Sequence, residues 1–237
     1  MTNLHSRRIY GNLVYYDTTF QRLIDAIGPD VVKFILNTAY LPLDDTTSDP
    51  TGFTTTTVDG GTDGNGSVTL VDNSLRILTD DAENDGANVQ VKGEAFDLAA
   101  NNYVYFGINF KINDVTQSDL LVGLCITNTN LLGGMTDGIY FESLDGSAAV
   151  ALVLEKDSTE TTVSSIGTLA DDTNITLEFL FDGTNVDSWV NGVVQTRPAL
   201  TNLPNNEQLT PSIHFLTGEG AAQTLTVNWL RVIQVNA

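Results

Sequence analysis

Several residue types on which catalysis, disulfide scaffolding and nucleic-acid binding depend are scarce in this chain. It holds one cysteine, Cys125, and two histidines, His5 and His214, among 237 residues. A single thiol excludes an intrachain disulfide, and its place in the apolar run Leu120 to Ile126 reads as a small buried hydrophobe, not a nucleophile. No Gly-x-Ser-x-Gly elbow accompanies the histidines, and His214, within Ser212-Ile213-His214-Phe215, reads as a satisfied polar residue of a strand. Basic residues are few: ten Lys and Arg stand against 30 Asp and Glu, a formal charge of -20, which argues against nucleic acid or an anionic membrane as partner. No run approaches the roughly 20 apolar residues of a membrane span. Charges at Arg7, Arg8, Asp17 and Arg22 interrupt the N-terminal stretch and argue against a signal peptide, so synthesis and folding in a cytoplasm is the expectation.

What is present is a β pattern. Residues 174–193 alternate in period two, Ile175/Leu177/Phe179/Phe181 and then Val186/Ser188/Val190, broken by turns at Asp182-Gly183 and Asn191-Gly192. Both dipeptides accept the positive φ of tight hairpin turns, so the stretch predicts a meander. Short alternating runs recur from Phe53 to Val235, about a dozen in number, separated by Gly, Asn and Asp turns. That spacing predicts an antiparallel double-sheet sandwich. In Tyr103 to Ile112 the set Val104, Phe106, Ile108, Phe110 and Ile112 is expected to face the core. In the last strand Leu225, Val227, Trp229, Arg231 and Ile233 share one side, a mixed face that alternation alone does not assign.

The N-terminus differs. Residues 1–41 carry four basic and three acidic side chains, leaving six basic and 27 acidic for the rest. Ile9 to Asp17 reads as an extended arm with aromatic anchors at Tyr10, Tyr15 and Tyr16. Phe20, Leu23, Ile24 and Ile27 fall at helical spacing, and Pro29-Asp30 opens a second apolar segment that should stop before Pro42, so two short helices are expected. The expected division is an arm with helices at 1–43 and a sandwich at 44–237.

Candidate chemistry is thin. The acidic loops Asp59 to Asn65 and Asp80 to Gly86 lack the spacing of a calcium loop and read as solvated turns. Among carboxylates, Glu142 and Glu155 sit in strands, and a glycoside hydrolase would need such a pair facing one open cleft. Leu132-Gly133-Gly134-Met135 lacks the lysine and spacing of a phosphate loop. Trp189 falls opposite Val186, Ser188 and Val190 and reads as a surface or interface aromatic, able to stack on a sugar or to cover a subunit contact.

Tyr105 to Ile112, Gly138-Ile139-Tyr140-Phe141, the meander and Val227 to Val232 together resemble the concanavalin A-like (laminin G-like) jelly-roll superfamily. The resemblance implies a mainly β, two-sheet antiparallel jelly-roll. The Glu-x-Asp-x-x-Glu strand of its hydrolytic members is not found. With the leader Ser6 to Asp17 and Gly28 to Val32, the chain resembles tailed-bacteriophage capsid decoration (cement) proteins. This implies a structural virion protein on the head exterior, a homotrimer bound to the major capsid protein, with no enzymatic activity, cofactor or metal. The capsid-binding set would be Arg7, Arg8, Tyr10, Tyr15, Tyr16, Phe20 and Arg22, since arginines and tyrosines dominate such contacts. The other reading of the same fold is a carbohydrate-binding adhesin.

Overall fold

The computed structural model describes residues 4–17, 22–37, 50–60, 66–72 and 74–237. Phe20 and most of the Asp59 to Asn65 loop lie outside them. Two eight-stranded antiparallel sheets form the body. In the first the order is β17 (Val193–Val194), β16 (Val186–Val190), β15 (Ile175–Phe181), β10 (Tyr103–Ile112), β19 (Thr224–Val235), β7 (Ser74–Leu78) and β6 (Ser67–Val71), with β4 (Val31–Asn37) also on β19. In the second it is β14 (Thr159–Thr168), β13 (Ala149–Lys156), β12 (Gly138–Ser143), β11 (Ser118–Cys125), β18 (Gln208–Thr217), β8 (Gly86–Val91) and β5 (Phe53–Val58), with β9 (Phe96–Asp97) also on β18. This is a jelly-roll sandwich.

Alternation builds the core as expected. Val104, Phe106, Ile108, Phe110 and Ile112 are buried between the sheets, and Phe179 stacks on Phe106 at 5.2 Å while reaching Phe141 of the other sheet at 6.0 Å. In the meander, Asp182 Oδ1 accepts from the Thr184 and Asn185 amides, and Gly183 turns at φ +88° against the Asn101 backbone, where a Cβ would clash. Asn191 and Gly192, both at positive φ, join Val190 to its partner Val193. The mixed face of β19 has a structural cause. Asn109 pairs with Trp229 but Phe110 pairs with Val227, a bulge that leaves Asn228 unpaired and shifts the alternation. Leu225 and Val227 therefore face the core before it, and Leu230 and Val232 after it.

Among the described residues strands stand where the two N-terminal helices are expected. Arg22–Ile27 is strand β3, which follows β1 (Leu4–Ile9) and β2 (Asn12–Asp17) in a small three-stranded sheet. Leu23 and Ala26 both face inward because β3 is bulged opposite Tyr15 and Tyr16, and this spacing of three imitates a helical face. β4 carries apolar residues on both sides: Val32, Phe34 and Leu36 meet the main core, while on the other side Val31 meets the N-terminal sheet and Ile35 is left exposed. Among the described residues the one α-helix is the short turn α1 (Leu131–Gly134). The arm lies on its own body. Val14, Leu23 and Ala26 pack on Tyr105, Ile233 and Val235, and a buried chain of polar groups fixes the joint. Tyr105 donates to Glu178 Oε1 at 2.7 Å, Arg22 Nη1 to Glu178 Oε2 at 2.5 Å, and Arg231 Nη1 to the Ile24 carbonyl at 2.9 Å.

Candidate functional site

On the face of the second sheet turned away from the core, strand register lines up polar side chains in rows. One row runs Thr56, Asn88, His214, Leu121, Glu142, Ala151 from β5 to β13. The next runs Thr54, Gln90, Ser212, Gly123, Tyr140, Val153, Thr162, and a third ends in Gly138, Glu155 and Glu160. An outward sheet face would ordinarily be wet, yet Asn88, Gln90, Ser212 and His214 are all buried. The cover is the β11–β12 connection. Leu131, Leu132 and Met135 press onto Leu121, Cys125, Tyr140 and Val153. Asn88 Nδ2 donates to the Asn128 carbonyl, Gln90 Nε2 to the Ile126 carbonyl, and the Asn128 amide returns a bond to Gln90 Oε1 at 3.0 Å. Asn128 Nδ2 and Oδ1 close the connection on itself at Gly134 and Asn130, and Asn130 caps α1 by accepting from the Gly133 amide.

The connection crosses the face and leaves a cleft on each side of Leu132 and Gly133. The first, about 280 Å³, is lined by Tyr140, Glu142, Glu155, Ser158 and Glu160 with the wall of α1. The Tyr140 hydroxyl donates to Glu155 Oε2 at 3.1 Å. Burial raises Glu142 above the usual carboxylate range, helped by Glu160 and Glu155. Burial also raises Glu155, against the Tyr140 hydrogen bond, with Glu160 and Asp137 adding repulsion. Burial and Glu155 push the Tyr140 phenol up, so it stays a donor. Glu155 and Glu160 are direct cross-strand partners, with Cβ atoms about 5 Å apart by that geometry, so both carboxyls can be presented to the same cleft, as a pair that hydrolyses glycosides must be. Glu142 stands opposite Ala151, four residues along β13 from Glu155, about 13 Å by strand rise.

The second cleft, about 680 Å³, has His214 in its lining with Thr56, Asn84, Asp119, Asn130, Leu132, Leu144 and Leu216. His214 is 1% exposed, and neither ring nitrogen has a hydrogen-bond partner among the described residues, which corrects its reading as a satisfied strand residue. Burial lowers its pKa from 6.5 to about 4, so the ring is neutral. Burial raises Asp119, opposed by the Asp145 amide that Oδ1 accepts.

The residues singled out from sequence are spread elsewhere. Arg7 lies over the Tyr16 and Tyr103 rings at 5.3 and 5.9 Å, beside a cavity of about 420 Å³ between the N-terminal sheet and the body. Arg8 donates to the Gly11 carbonyl, Tyr10 is half exposed, Tyr15 is half-buried on β2, and Arg22 is held by Glu178 and Asp17. Trp189 is 2% exposed and is not a surface aromatic. In the loop from Asp80 to Gly86, Asp85 is spent internally on the Gly60 and Ala82 amides, and no group of three or more metal-ligating side chains occurs among the described residues. Glu142 and Glu155 do share a cleft. Sequence reasoning missed Tyr140 and Glu160, although Tyr140 stands two residues before Glu142 and therefore on the same face.

No family model and no curated protein matches the chain in sequence. Solved structures match the fold. A Bacillus licheniformis β-glucanase is 16% identical with a TM-score of 0.59, covering 84% of this chain and 97% of its own. A prokaryotic β-1,3-1,4-glucanase (lichenase) from a mouse hindgut metagenome is 14% identical with a TM-score of 0.61, covering 85% and 98%. The potassium-bound carbohydrate recognition domain of Emp46p is 12% identical with a TM-score of 0.59, covering 84% and 95%. None of the three points to a virion. They also correct the expectation that the chain is not an enzyme, since two of them are glucanases built on this same double sheet. The fold is the concanavalin A-like jelly roll of glucanases and carbohydrate recognition domains.

Proposed function

We propose that the chain binds a glycan across the outward face of its second sheet, in the two clefts beside the β11–β12 connection. The observation that carries this is the pair of clefts flanking the connection, the first lined by Tyr140, Glu142, Glu155 and Glu160 and the second by Thr56, Asp119 and Asn130 beside Leu132 and Leu144. Sugars present hydroxyls that donate and accept together with apolar ring faces, and a concave site with a few placed polar groups on an apolar floor matches that chemistry. The likeness to a carbohydrate recognition domain and to glucanases supports the same reading. Calorimetry with oligosaccharides tests it: Tyr140→Phe and Glu155→Gln are expected to weaken binding about tenfold each, about 1.4 kcal/mol. Absence of binding to any glycan, or binding indifferent to both changes, would overturn it.

Glycoside hydrolysis at the first cleft is a second reading, favoured by the cross-strand placement of Glu155 and Glu160. Glu155, its carboxyl raised by burial, suits the general acid, and the exposed Glu160 suits the base or nucleophile. Release of reducing ends from a β-glucan, lost in Glu160→Gln, is the expected result. Attachment to a phage head keeps one supporting observation, the exposed edge strand β1 with Leu4 and Tyr10 uncovered at its ends. Binding of purified heads by the wild type tests that reading.

A further inference from the structure

The first sheet also has an outward face, and the part of it that the N-terminal sheet leaves uncovered carries a cleft of about 570 Å³ lined from β6, β7, β19 and β10. Register sets its floor. Arg76 pairs with Thr226 and Thr226 pairs with Lys111, so two cations stand one strand to either side of a hydroxyl, with Cα atoms about 10 Å apart by strand spacing. All three side chains point outward, because the residues before and after each of them, such as Ile77, Val227 and Phe110, fill the core. Arg76 and Lys111 are half-buried, and neither makes a side-chain hydrogen bond or ion pair among the described residues, whereas Arg22, Lys33 and Arg197 are each matched to a carboxylate. Charges drawn partly out of water are ordinarily paired. Arg76 Nε is closed off from solvent, but the terminal guanidinium nitrogens and Lys111 Nζ are not, so these are the atoms a ligand meets.

The surroundings select the anion. Asn228, released from the ladder by the β19 bulge, is tied to Ser74, Asn109 and Asn174, and Asn113 Oδ1 accepts from the Thr224 amide. The Nδ2 groups of Asn113 and Asn174 remain as neutral donors. Asp72, in the β6–β7 turn, and Asp172, ahead of β15, line the same cleft as exposed acceptors. A neutral sugar would leave both cations unmatched. A phosphate or sulfate dianion would bring a second negative charge with no third cation to meet it. A carboxylate offers one oxygen edge to the guanidinium fork and the ammonium, and hydroxyls on the same molecule donate to Asp72 or Asp172. We infer that this cleft binds a hydroxylated carboxylic acid, a sugar acid of the uronate kind, at a site separate from the clefts of the second sheet and independent of their reading. Its volume falls within the roughly 300–1,000 Å³ common for small-ligand sites. The charge of -20 opposes anions at long range, but the Debye length is about 8 Å at 0.15 M salt, so the cations in contact decide.

D-glucuronate and D-glucose differ by carboxylate against hydroxymethyl at C5, and acetate carries the carboxylate without the hydroxyls. Titration of the full chain at 0.15 M salt, followed by backbone amide NMR, is expected to show glucuronate binding at least about tenfold more tightly than either, about 1.4 kcal/mol, with shifts in β7, β10 and β19. Arg76→Gln and Lys111→Gln are each expected to abolish that preference, and the wild-type shift map stands as a readout if either variant fails to fold. Glucose binding as tightly as glucuronate, shifts elsewhere, or a preference that persists in both variants overturns the cation pair as the anchor. Acetate binding equally well overturns the sugar acid, and inorganic phosphate displacing glucuronate at equal concentration overturns the carboxylate. Binding of none of these probes overturns the site, and no outcome here bears on glycan binding at the second sheet.

Discussion

His214 shows how one buried residue couples stability to pH. Its folded pKa of about 4 lies below the ordinary 6.5, so between these values the unfolded chain holds the proton and the native one does not. Stability from this residue is therefore complete above pH 6.5 and is lost as pH falls toward 4, by about 3 kcal/mol at most. Asp119, Glu142 and Glu155 act in the opposite sense, since their raised folded pKa values favour the native state as pH falls through them. Comparison with His214→Gln isolates the histidine. The melting temperature of the variant relative to wild type is expected to rise from pH 7 to pH 4.5, and a pH-independent difference would contradict a neutral buried ring. Arg22 provides a second residue-scale test. Glu178 is almost wholly buried and is held by Arg22 and Tyr105, so Arg22→Ala strands its charge and is expected to cost about 3 kcal/mol in urea unfolding. A loss near zero would show that the joint between arm and body is not ionic.

At the scale of elements, the N-terminal sheet and the β11–β12 connection carry the consequences. Removing residues 1–28 uncovers Tyr105, Ile233 and Val235, so the truncated body is expected to aggregate or melt far below the full chain in light scattering and thermal unfolding. A soluble, equally stable truncation would mean that the sheet is a detachable arm. Asn128 holds the connection through two backbone and two side-chain hydrogen bonds, and Asn128→Ala, which removes those to the Gly134 carbonyl and the Asn130 amide, is expected to speed amide exchange across 126–137 while leaving the core strands protected. Most strands could be read from sequence because each buries one face, as Val104 to Ile112 and the meander do. The failures came where that condition breaks. β4 carries apolar residues on both faces, Ile35 on the exposed one, and so reads like a helix apolar all round, while bulges in β3 and β19 change the period within a strand. The site was half legible: Glu142 and Glu155 carry their chemistry in their names, but the row joining His214 to Glu142 exists only through the register of β18, β11 and β12.

The whole molecule is governed by its charge of -20 and by which face the jelly roll leaves available. Like charges spread over one small body repel, and added salt shortens the Debye length from about 30 Å at 0.01 M to about 10 Å at 0.1 M. The melting temperature is accordingly expected to rise with sodium chloride over that range, and a fall would mean that attractive pairs dominate. The same field makes sulfated or otherwise polyanionic glycans poor ligands and leaves neutral ones unhindered. Two sheets offer two outward faces, and the N-terminal sheet occupies part of the first, so the second sheet carries the polar rows and the strap. Titrating the isotope-labelled chain with neutral oligosaccharides, N-acetylated and not, while following backbone amides by NMR, tests this placement directly. Glycan binding at the second sheet predicts shifts confined to β8, β18, β11 to β13 and residues 126–137. Shifts clustered on the N-terminal sheet, or none with any glycan, would contradict it.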